Sequence, residues 1–176
     1  MSAINLARLR IQLGLLIPQI QDTSAFIHGL REIYQFYADN THPVGEPPTG
    51  VFTLPAFNTP MVLNREILFN LSKYCTDDPQ LVLELIDLLW QQQEVELRQL
   101  AAQLLGKLPP VHEEGVIQRI RTWSEESTSP EILPFLHQNA SIGIRKNNPE
   151  RWLDLLNEWE SANQDWLARL SIEGVI

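Results

Sequence analysis

The chain has 176 residues, enough for one domain with a full core and too few for two comfortable ones. Its 44% hydrophobic content excludes global disorder, and 13 basic against 22 acidic side chains leave a net charge of -9 at pH 7. That balance disfavours broad attraction to nucleic acid or anionic membranes and leaves room only for a local basic patch. One cysteine, Cys75, excludes an internal disulfide and any cysteine-rich zinc site. No apolar run is long enough for a membrane span, and no secretory leader pattern is present. The expectation is a cytoplasmic protein with no membrane association, metal or cofactor.

Residues 3–17 carry Ile4, Leu6, Leu9, Ile11, Leu13, Leu15 and Leu16 and predict a helix broken near Pro18. Asp22 or Thr23 caps a second helix, whose face is Phe26, Ile27, Leu30, Ile33, Tyr34 and Tyr37 and which ends at Asn40. Together, 1–40 read as an N-terminal helical hairpin. Residues 41–62 form a proline-rich loop, with prolines at 43, 47, 48, 55 and 60 and a short extended piece over 51–54. Loops this long are uncommon within a domain. Val51, Phe52, Leu54 and Phe57 suggest that part of it packs back on the body; the alternative is a lid or a partner-binding loop.

From residue 63 onward the helical signals are dense. A helix follows Asn64 through about Cys75. Asp78-Pro79 starts the next, 79–92, which is apolar around most of its circumference and should therefore be central. Helix 95–108 repeats Leu97, Leu100, Ala101, Leu104, Leu105 and Leu108 and stops at Pro109-Pro110. Helices are then expected over 112–126, from Ser129-Pro130-Glu131 toward Ile144, from Asn148-Pro149-Glu150, and from Asn163 to Ile176. The fold class is all-α. Short connections make successive helices antiparallel neighbours.

Helix starts recur every 15 to 19 residues, so two helices make a unit of about 35. Arg98, Ala101, Ala102, Leu105 and Gly106 resemble the inner helix of a HEAT repeat, where small alanines permit close stacking. Asn163, Trp166, Arg169-Leu170 and Glu173-Gly174 resemble an Arg-Leu-x-x-Glu-Gly segment of the HEAT-like DNA alkylation repair family. The resemblance implies a right-handed α-α superhelix of stacked hairpins (HEAT-like or ARM-like) over 63–176. It also implies glycosylases that excise positively charged alkylated bases while holding the DNA backbone on a basic concave surface. Position 168 is alanine where that segment commonly has another arginine, and the basic and aromatic residues that usually follow it are missing. The uncapped last helix suggests either a fragment of a longer repeat protein or an exposed end used for association.

A cationic damaged base needs aromatic stacking and a carboxylate, and Trp90 with Asp87 and Glu94 are the candidates. The competing reading packs Trp90 into the core and solvates both acids. Trp123, Trp152, Trp159 and Trp166 lie on apolar stripes and read as packing residues. Arg119, Arg121, Arg145, Lys146, Arg151 and Arg169 are the candidate phosphate contacts. Residues 108–176 nevertheless hold 6 basic and 11 acidic side chains, net -5, which favours a solvated mixed surface. His28, His42, His112 and His137 are scattered without metal-ligand spacing, and Cys75 reads as a core thiol. The leading expectation is a non-catalytic helical scaffold that binds another protein or the rest of a longer chain. The alternative is a divergent alkylation repair protein that binds DNA and excises alkylated purines.

Overall fold

The computed structural model describes residues 5–38, 54–126, 129 and 132–161. The described residues are all-α, with no strand among them. Helix α1 spans Leu6–Leu16 and α2 spans Thr23–Tyr37; between them Ile17–Gln19 is a 3-10 turn that accommodates Pro18. Asn5 caps α1 through Arg8 N–H (3.1 Å), and Asp22 caps α2 through Ala25 N–H (3.0 Å). Helix α2 ends at Tyr37; Asn40, the expected stop, lies outside the described residues, as does most of the proline-rich loop.

Helix α3, Met61–Ser72, begins three residues before Asn64. The backbone carbonyl of Pro60 starts it by accepting Leu63 N–H at 2.9 Å. Asn64 is thus inside the helix, where its side chain accepts a hydrogen bond from the Tyr34 hydroxyl. A short helix α4, Tyr74–Asp77, leads to α5, Pro79–Trp90, which Asp78 caps through Leu81 N–H at 3.2 Å. Helix α6, Val95–Leu105, is followed by the 3-10 turn Pro110–His112 and by α7, Glu113–Glu126.

The single helix expected to run toward Ile144 is two: α8, Leu133–Ala140, and α9, Ile142–Asn147. Ser141 separates them, its hydroxyl turned back to donate to the His137 carbonyl at 2.5 Å. Pro130 and Glu131 lie outside the described residues. Helix α10, Pro149–Ser161, starts at Asn148, whose side chain accepts Arg151 N–H at 3.3 Å. The segment 163–176, with Trp166, Arg169 and the Arg-Leu-x-x-Glu-Gly motif, lies outside the described residues. Of the piece expected over 51–54, only Leu54 is described, and it is a bend.

Helices α1, α3, α6 and α8 pack in succession, and α5 packs along α6 and against α2. The sequence of α5 explains its place: Leu81, Val82, Leu83, Leu85, Ile86, Leu89 and Trp90 are all buried, leaving few positions for water. Residues 54–60 lie on this body. Val95 N–H donates to the Pro55 carbonyl at 2.9 Å, and the buried Glu96 carboxylate accepts Phe57 N–H at 3.0 Å. Phe57 also stacks on Tyr34, with ring centroids 5.3 Å apart. A buried carboxylate is costly without donors, and the backbone amides of Phe57 and, at 3.5 Å, Thr59 supply them.

Helices α7 and α8 are joined by a buried polar pair, Ser124 Oγ and His137 Nε2, 2.6 Å apart. Ser124 Oγ donates to the Ile120 carbonyl (2.6 Å), which leaves His137 Nε2–H to donate to Oγ. Burial pushes the His137 pKa down to about 4. An unfolded histidine takes up its proton near pH 6.5, so the unfolded state binds more protons between there and pH 4. Stability is therefore full above that window and falls as pH drops through it. Denaturant unfolding across the window should show wild type losing roughly 3 kcal/mol more than His137→Gln. Parallel pH profiles for the two proteins would contradict this reading.

Candidate nucleic-acid interface

Among the described residues, the candidate basic side chains do not form an open patch. Most of them tie one helix to another. Arg119 on α7 reaches Asp87 on α5 with two parallel hydrogen bonds, Nε–Oδ1 at 2.7 Å and Nη2–Oδ2 at 2.6 Å. A third nitrogen, Nη1, donates to the Gly115 carbonyl at 3.2 Å. A bidentate guanidinium–carboxylate pair satisfies both partners and fixes their orientation. Asp87 is therefore a neutralised anchor between α5 and α7.

Trp90 and Trp123 pack one turn further along the same two helices. Their rings stack at 4.2 Å between centroids and 6° between planes, and both side chains are buried. The Arg98 guanidinium lies over the Trp90 ring, 5.5 Å from its centroid, and its Nε donates to the Gln92 carbonyl at 2.7 Å. Burial lowers the Arg98 pKa, yet an arginine stays charged at any physiological pH. Glu94, the other candidate acid, is paired with Arg31 of α2. Trp90, Asp87 and Glu94 thus each have a different partner, and none presents a stacking face beside a free carboxylate.

Arg121 on α7 and Arg151 on α10 do come together. Arg151 Nη1 lies 3.0 Å from Glu158 Oε1, and Arg121 Nη2 lies 3.9 Å from Glu158 Oε2. Arg151 Nη2 is also 3.7 Å from Glu114 Oε1. The hydrogen bond to Glu158 holds the Arg151 pKa above its ordinary value, with the charges of Glu158, Glu114 and Asp154 acting the same way. Arg145 instead donates from Nη2 to the Gln138 carbonyl at 2.7 Å. Lys146 is exposed on α9, and Arg169 lies outside the described residues.

Of the charged partners, Arg31, Glu114 and Glu158 did not stand out in the sequence, and Arg98 stood out only as part of the HEAT-like pattern. Arg31–Glu94 joins residues 63 positions apart and Arg151–Glu114 joins different helices, so nothing local marks those pairs; Arg151–Glu158, seven apart on α10, is the exception. A groove lined by Leu15, His28, Glu32 and Phe36 lies between α1 and α2, and none of the candidate residues lines it. Among the described residues no group of histidine, cysteine and acidic side chains is arranged to hold a metal ion. Cys75 is buried, and burial pushes its thiol pKa up to about 11, well away from a reactive thiolate. No described helix is long and apolar enough to cross a membrane.

Fold and contacts together define an all-α protein in which arginine–carboxylate pairs and a tryptophan stack join helices that are not consecutive in the chain. The family model described as DNA alkylation repair enzyme matches residues 62–176, more than half of the chain and all of it from the second residue of α3 onward. The chain belongs to that family. No curated protein and no solved structure gives a significant match.

Proposed function

We propose that this chain is a divergent DNA alkylation repair protein that binds duplex DNA carrying alkylated purines. The observation that carries this reading is the family match over 62–176, which spans Arg119, Arg121, Arg145, Lys146, Arg151 and Arg169. A right-handed superhelix of HEAT-like hairpins, acting in the cytoplasm, belongs to the same proposal. Successive packing of α1, α3, α6 and α8 supports the superhelix.

The second reading is the non-catalytic scaffold that binds a protein partner or the remainder of a longer chain. One observation favours it: Asp87 is engaged by Arg119 and the Trp90 ring by Trp123, so no aromatic–carboxylate pair stands open around Trp90. The net charge of -9 also opposes DNA approach.

The test is salt-titrated binding of methylated and unmodified duplexes, with base release measured beside it. DNA binding predicts affinity that falls steeply with salt, because each phosphate contact releases a counterion. Preference for the methylated duplex with base release supports repair by excision. Binding without release supports a DNA-binding member that leaves the glycosidic bond intact. No binding at low salt overturns the DNA reading in favour of the scaffold.

A further inference from the structure

Two guanidinium groups from different helices converge on one carboxylate where α7 meets α10. Arg151 takes one oxygen of Glu158 at 3.0 Å, and Arg121 faces the other at 3.9 Å. Two arginines sharing an anion with two oxygens is also how proteins hold a phosphodiester. Glu158 is the bridging acid; Glu114 touches Arg151 alone. The Glu158 side chain is 50% exposed and Arg121 is 39% exposed, so water and salt screen their attraction. Exposed pairs of this kind are weak, and an incoming anion can displace the carboxylate at small cost.

We propose that Arg121 and Arg151 form a binding site for a phosphate of the nucleic-acid backbone, and that Glu158 occupies it as an internal competitor. This rests on the DNA reading above and adds to it a closed state. While Glu158 stays in place its carboxylate lies against both arginines and offsets their charge, and Glu114 and Asp154 add negative charge around Arg151. Engagement then requires Glu158 to rotate away, so DNA binding is weaker than the number of arginines suggests.

The experiment compares wild type, Glu158→Gln, Glu114→Gln and the double variant Arg121→Ala/Glu158→Gln on a short duplex over a range of salt. Matching thermal unfolding of all four shows that each is folded. Glu158→Gln should bind roughly tenfold tighter at low salt. Its slope of log affinity on log salt should steepen by about 1, since each added phosphate contact contributes about 0.9. Glu114→Gln makes the same change in net charge and should gain less, and the double variant should lose the gain. Equal gains for the two single variants, or a gain that survives loss of Arg121, would overturn the proposal. So would salt-dependent binding that is identical in wild type and Glu158→Gln, which leaves the DNA reading intact. If none of the proteins binds DNA at low salt, the DNA reading fails and inorganic phosphate decides the site. Phosphate should then shift the side-chain Nε–H NMR signals of Arg121 and Arg151 in Glu158→Gln and not in wild type; unmoved signals in the variant overturn the site.

Discussion

Gly106→Ala is expected to destabilise the protein by about 3 kcal/mol, at the upper end of the range for overpacking a well-filled site. A Cβ at position 106 would lie 2.0 Å from the Asn139 backbone carbonyl oxygen, far inside contact distance. Asn139 is near the end of α8, so the obstacle is backbone held in a helix and cannot swing aside as a side chain would. The crossing is tight from both sides, because a Cβ on Gly143 would meet the Gly106 carbonyl oxygen at 3.1 Å. The backbone at Gly106 has φ -71°, so space and not conformation demands glycine here. Gly14 supplies the contrast: it lies inside α1, and nothing stands within 4 Å of an added Cβ. Gly14→Ala should stabilise by about 0.5–1 kcal/mol through the unfolded chain and helix propensity. Urea unfolding midpoints of both variants test the pair. A neutral Gly106→Ala would mean that α6 and α8 do not cross this closely.

Trp90→Ala is expected to cost about 4 kcal/mol, the usual range for deleting a large buried aromatic ring. The side chain is only 6% exposed, lies flat against Trp123 and carries Arg98 over its ring. Its loss removes the stack, leaves a cavity between α5 and α7 and takes away the surface on which Arg98 rests. Trp90→Phe should recover a large part of that stability, since a smaller ring still stacks. A tryptophan whose task is to meet a damaged base in a groove gives the opposite pattern: DNA affinity falls and unfolding barely changes. Denaturant unfolding beside duplex binding separates these outcomes. A stable, DNA-deficient Trp90→Ala would return Trp90 to the list of lesion contacts.

Much of the helix plan was legible because its signals are local. Asp22, Asp78 and Asn148 mark helix starts through a side-chain oxygen and a backbone amide three residues on. The central place of α5 followed from its nearly continuous apolar surface. Misreadings arose where a local cue was overruled by distant contacts. Asn64 is a good capping residue, but here it lies inside α3 and serves Tyr34. Ser141 interrupts an otherwise helical stretch where α8 and α9 crowd α6 at Gly106.

The candidate interface was the least legible part. Arg119, Arg121 and Arg151 share residue type and helical setting with phosphate-binding arginines, and sequence carries no sign of which carboxylate each will meet. Composition, capping residues and hydrophobic period by themselves determined that this acidic chain is all-α, which residues line its helices and roughly where the helices begin. Only the tertiary structure decided that Asp87 holds Arg119, that Trp90 lies against Trp123 and that Glu158 draws Arg121 and Arg151 together. The physical reason is range. Capping and periodicity act within one or two turns, whereas an ion pair or a ring stack forms between whichever side chains helix packing brings into contact.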